Sequence, residues 1–90
     1  MAQDWATILQ DEADNENEMT ESMAALLSSP GVTQERISQA YNAIEGAARH
    51  FEHFVTDLEE QDVDDAVLEA AERIQDKWDA LSVRVGSHLR

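Results

Sequence analysis

ISQAYNAIEGAARHFEHFVTDL, the stretch from Ile37 to Leu58, decides the fold. Its apolar residues fall at Ile37, Ala40, Ile44, Ala47, Phe51, Phe54 and Leu58, three or four positions apart throughout. Tyr41, Ala48 and Val55 widen that line on one side. The spacing gathers apolar side chains on one face of an α-helix. The face is broad enough to cover two neighbouring helices rather than one seam. The segment therefore reads as the central helix of a small bundle.

Working outward, the chain breaks twice. Ser28-Ser29-Pro30-Gly31 pairs proline with glycine, the mark of a tight turn. Thr33 follows as the candidate N-cap of the central helix. On the other side, Glu59-Glu60-Gln61-Asp62 interrupts the apolar pattern without Gly or Pro. Asp62 or Asp64 would cap a third helix, where an acid suits the positive end of the dipole. Gly86 is its candidate stop. These signals place helices at about 3–28, 34–59 and 63–85 within a single domain, 1–90. Short links then predict an all-α, antiparallel up-down-up three-helix bundle with a short Ser-Pro-Gly turn, its first and third helices parallel. The competing reading fuses the second and third helices into a rod that must dimerise. Short links between antiparallel helices are common, which favours the bundle.

Composition narrows the function classes. Twenty acids face six bases, a formal net charge of −14, and Lys77 is the only lysine. Such a charge opposes direct contact with nucleic acid or anionic lipid, and favours a basic protein surface or solubility in high salt. With no cysteine there is neither a disulfide nor a thiolate metal site. The opening MAQDWATILQ has no basic n-region and no apolar h-region, so no signal peptide is expected. No apolar run approaches the roughly 20 residues of a membrane span. A cytoplasmic protein is the simplest expectation.

The first helix has a broken stripe. Trp5, Ile8 and Leu9 begin an apolar face, and Met19, Met23, Leu26 and Leu27 end it. Between them, the periodicity puts Glu12 and Glu16 where core residues belong. Turns near Gly31 and Asp62 bring Glu12 level with His50 and Ile74, and Glu16 level with Gly46 and Trp78. A buried acid without a partner costs several kcal/mol. Arg49, Arg73, Lys77 and the indole N–H of Trp78 are the candidate partners. Gly46, a poor residue inside a helix, is expected to make room for the Trp78 ring. Glu12, Glu16, Gly46 and Trp78 thus form a predicted polar layer that fixes helix register.

Catalytic and cofactor motifs are absent. His50 and His53 form an H-x-x-H pair, but bundle di-metal sites use Glu-x-x-His, which does not occur here. There is no Gly-rich phosphate loop, G-x-S-x-G elbow or H-E-x-x-H. A non-enzymatic protein without metal or cofactor is expected. Arg73-Ile74-Gln75-Asp76-Lys77-Trp78-Asp79-Ala80-Leu81, with Arg84 and Leu89 beyond, resembles the last helix of a spectrin repeat, over that one helix. Tyr41-Asn42-Ala43-Ile44-Glu45 is similar to the Y-x-x-x-E pattern of helical secretion substrates of the WXG type. It sits mid-chain, and neither Trp5 nor Trp78 is followed by x-Gly. Neither resemblance assigns a family.

The strongest functional signal is the arrangement of acids. Asp62, Asp65, Glu69, Glu72, Asp76 and Asp79 recur at steps of three and four on the third helix, opposite its apolar face of Val63, Val67, Ala70, Ile74, Trp78 and Leu81. Asp4, Asp11, Asp14, Glu18 and Glu21 form a second line on the first helix, and no base precedes Arg36. Like charges at these spacings cost about 0.2–0.5 kcal/mol per pair, and an ordinary solvated face mixes signs. Three or four residues rise about 5 Å, against the 3.4 Å between phosphates of a DNA strand. Asp11, Asp14, Glu18, Glu21 and the six acids of the third helix are therefore expected to bind a basic protein surface. That partner class includes nucleic-acid-binding proteins, as for a DNA-mimicking inhibitor carried by a phage or plasmid. The alternative is a helical assembly, adaptor or secretion-associated protein, open to homodimerisation, whose acidity reflects solubility or salt adaptation.

Overall fold

The computed structural model describes residues 4–89 and is a bundle of three helices without strands among those residues. Helix α1 spans Trp5–Ser28, α2 Gln34–Glu60 and α3 Asp65–Gly86. The expected boundaries agree to within two residues at each end, and Gln3, the expected start of the first helix, lies outside the described residues. The molecule is a rod of 50 × 19 × 18 Å with a radius of gyration of 14.8 Å. A compact domain of this length would have about 12 Å. Surface lines along the helices therefore run nearly the full length of the protein.

Local chemistry explains each boundary. The Asp4 carboxylate accepts from the Thr7 backbone N–H at 3.2 Å and from the Thr7 hydroxyl at 2.6 Å, capping α1. Gly31 takes a left-handed φ of 81° in the first turn, and Thr33 accepts from the Arg36 N–H at 3.2 Å. The second turn is a real break: Asp62, just past the α2 C-cap Gln61, adopts φ 54°. Helices commonly end on such a residue, and aspartate is among the few non-glycines that enter this region readily. That is how the chain reverses without Gly or Pro, and it removes the fused-rod alternative. Asp64 is the α3 N-cap by position, although its side chain makes no capping hydrogen bond.

Helix α3, rather than α2, is the hub. It packs extensively on α2 and also on α1, whereas α1 and α2 barely touch. The expectation that the Ile37–Leu58 face covers two neighbours is corrected accordingly. Its physical basis is a double apolar line on α3. Ala71, Trp78 and Val85 are buried beside Ile74 and Leu81, and together they are wide enough for two partners. From α2 the core takes Ile37, Ile44, Ala48, Phe51, Val55 and Leu58. From α1 only Leu9 among the apolar residues is fully buried. Trp5, Met19, Met23 and Leu27 are half-buried against the core, the Trp5 ring tilted on Phe54 at 6.2 Å between centroids. Every side-chain hydrogen bond that α1 makes among the described residues stays within α1 and its N-cap Asp4.

Two polar links hold α2 to α3. Ser82 Oγ donates to Glu45 Oε1 at 2.8 Å, and Gln75 Nε2 donates to the Ala48 carbonyl at 3.4 Å. Trp78, 1% exposed, is the largest fully buried side chain. Trp78→Ala should lower unfolding free energy by about 3–5 kcal/mol, the usual cost of emptying a large aromatic site. Urea denaturation followed by circular dichroism checks this, and an unchanged midpoint would remove Trp78 from the core.

Candidate functional site

The ten predicted partner-binding acids are all exposed: Asp11, Asp14, Glu18 and Glu21 on α1, Asp65, Glu69, Glu72, Asp76 and Asp79 on α3, and Asp62 in the turn before it. Their positions follow from the burial of the opposite face of each helix. Gln10 Nε2 donates to Asp14 Oδ1 at 2.9 Å, and Gln75 Nε2 to Asp79 Oδ1 at 3.0 Å. No ion pair neutralises any of the ten among the described residues. Val83, 73% exposed, continues the α3 line one turn past Asp79.

The seam between the parallel helices α1 and α3 separates the two acidic lines. Two open depressions lie along it. One, of about 350 Å³, is lined by Ala6, Leu9, Ala13, Ala70, Arg73 and Ile74 among others. The next, of about 310 Å³, is lined by Glu16, Asn17, Thr20, Lys77, Ala80, Leu81 and Arg84. Residues of both helices increase in number together along the seam, which establishes their parallel course. Three of the six bases thus stand in a row between carboxylate lines, a feature that the sequence reading did not extract. Its signal was the spacing of Arg73, Lys77 and Arg84, four and seven residues apart beside the α3 core face.

The predicted polar layer is partly formed. Glu16 is buried, 3% exposed, as the periodicity required. Its Oε1 accepts from the Thr20 hydroxyl at 2.7 Å, one turn along its own helix. No ion pair joins it to Arg49, Arg73 or Lys77 among the described residues, and Trp78 Nε1 is buried without a hydrogen-bond partner. The Glu16–Trp78 bond is therefore corrected: Glu16 turns into the α1–α3 seam and is served by Thr20. Glu12 is half-buried rather than buried.

Gly46 is corrected most plainly. It is exposed, and a Cβ built on it meets nothing within 4 Å. Two residues from Ile44 and from Ala48, it necessarily points away from the face that carries them. The close approach occurs instead at Gly86, where a Cβ would lie 3.0 Å from the Tyr41 ring. There the Tyr41 hydroxyl and Ser82 both bond Glu45, and these bonds, Tyr41 first, hold the Glu45 carboxyl below its ordinary value. The same bond to Glu45, with its negative charge, raises the Tyr41 phenol. His50 and His53 are exposed, and no group of three or more His, Cys, Asp or Glu residues is arranged to hold a metal among the described residues. No helix among them is long and apolar enough to cross a membrane.

No protein-family model, curated protein or solved structure matches the chain.

Gly46→Ala should raise stability by about 0.5–1 kcal/mol, since the position is helical and open. Thermal denaturation reads this directly, and a loss would show a close neighbour at Gly46. The Glu45 contacts set a pH dependence of definite sign. A carboxylate whose folded pKa is depressed adds stability above its unfolded pKa, and loses it as pH falls through the folded value. The stability advantage of the native chain over Glu45→Gln should therefore be constant above about pH 6 and shrink on acidification. Urea midpoints across pH 3–7 measure the difference, and a widening gap at low pH would contradict the assignment.

Proposed function

We propose that this chain is a non-enzymatic, acidic protein-binding module that presents carboxylate lines to a basic groove on a partner protein. A groove that ordinarily holds nucleic acid fits that description, and the module would then act as a competitive mimic, in the manner of a phage- or plasmid-borne inhibitor. The observation that carries the reading is the α3 line. Asp65, Glu69, Glu72, Asp76 and Asp79 are exposed along one side of α3, Asp62 is exposed in the turn before it, and none of the six is spent on an ion pair among the described residues. Like charges so placed cost stability without a structural return. Helix α3 is also the best-anchored element, packed on both neighbours, so its outer face is held in fixed geometry.

The second reading is an assembly, adaptor or secretion-associated helical protein whose acids serve hydration. The single Lys among twenty-six charged residues and the loosely packed α1 favour it. Salt separates the two. A charge-driven complex weakens steeply as salt rises, because exposed charges are screened beyond about 10 Å at 0.1 M. Reversing Glu69, Glu72 and Asp76 to Lys together should abolish capture of a basic partner from lysate and remove the salt dependence. Capture that persists with the same salt response would refute the mimicry reading.

A further inference from the structure

We propose that the α1–α3 seam is the contact face of a symmetric homodimer, in which Lys77 and Arg84 pair with Glu21 and Asp14 of a second copy. The inference does not rest on the partner-binding function and leaves the α3 acidic line free for it.

Three observations converge on the seam. The first is charge without a partner. Arg73, Lys77 and Arg84 line it, and none makes an ion pair within 4 Å among the described residues, in a chain carrying a surplus of carboxylates. The second is shape. The two depressions run end to end, and small or short side chains lie among their lining: Ala6, Ala13, Ala70 and Ala80, with Asn17 and Thr20. Small residues let another helix pair approach closely, and a groove between two parallel helices suits antiparallel neighbours. The third is spacing. Gln10 and Asn17 line the depressions, so Asp14 and Glu21, each one turn further along the same ridge, flank the seam.

Asp14 and Glu21 are seven residues apart, as are Lys77 and Arg84, about 10.5 Å along each helix. The shared depression puts Asn17 level with Ala80, so Asp14 stands near the height of Lys77 and Glu21 near that of Arg84. A two-fold axis between those heights reverses the order. It brings Asp14 to Arg84 and Glu21 to Lys77 of the second copy, four pairs in all, since an isologous contact doubles every interaction. The occupant is a second copy because the seam supplies both halves of this charge pattern at one repeat.

The net charge of −14 sets a salt signature. At 0.01 M salt, with a screening length of about 30 Å, whole-molecule repulsion opposes association; at 0.15 M, about 8 Å, distant charges are screened while contact pairs remain. Sedimentation equilibrium at about 100 µM protein should give twice the 10.1 kDa chain mass at 0.15 M salt, and less at 0.01 M. Lys77→Glu with Arg84→Glu should be monomeric with unchanged helicity. Adding Asp14→Lys and Glu21→Lys to it should restore the dimer, and Arg36→Glu, away from the seam, should keep it. If the double reversal loses helicity, Lys77→Gln with Arg84→Gln takes its place. A wild-type monomer at both salts, a dimer that survives the double substitution, or a four-site swap that stays monomeric would overturn the proposal.

Discussion

The burial of α3 against both of its neighbours is the constraint on which the rest of the structure depends. One helix that must cover two others needs an apolar arc rather than a seam, and α3 provides it with Ala71, Trp78 and Val85 beside Ile74 and Leu81. The arc leaves α3 one solvent-facing side, and that side carries Asp65, Glu69, Glu72, Asp76 and Asp79. The acidic line is therefore held by the most completely packed helix. Repulsion along it is borne by the apolar contacts beneath it, since no ion pair among the described residues relieves it. In a domain this small such contacts carry most of the stability.

The two remaining helices play unequal parts. Helix α2 gives six fully buried apolar residues and is tied to α3 by Ser82–Glu45 and Gln75–Ala48. Helix α1 gives Leu9, several half-buried side chains and a buried carboxylate whose hydrogen bond is made within its own helix. The α2–α3 hairpin is thus the structural unit, and α1 lies on it as a third, more weakly attached rod. The same looseness opens the seam where Arg73, Lys77 and Arg84 stand.

Much of this was legible in the residues. The steps of three and four from Ile37 to Leu58 mark a helix with one apolar face, because the period of the pattern equals the period of the backbone. The Ser-Pro-Gly turn, Thr33 as a cap, the burial of Glu16 and the exposure of both acidic lines follow from equally local rules. The hub did not, because α3 carries its second apolar line partly in small or polar residues, Ala71 and Ser82, which a hydropathy pattern underweights. The polar layer failed for a geometric reason. Turn positions fix the height of a residue along the rod, and Glu16, Gly46 and Trp78 do share a height. Direction around the axis is set separately, and it sends Gly46 outward and Glu16 into the seam. Gly86 against Tyr41 was missed because a glycine near a helix end reads first as a terminator.

The claim that an α2–α3 hairpin holds the fold while α1 rides on α3 is tested most directly by native-state amide hydrogen exchange at increasing denaturant. Amides of α2 and α3 around Ile44, Phe51 and Trp78 should exchange only through global unfolding, whereas those of α1 around Glu16 should exchange through a separate opening of lower free energy. Equal protection of α1 and α3, merging at the same global free energy, would contradict the account.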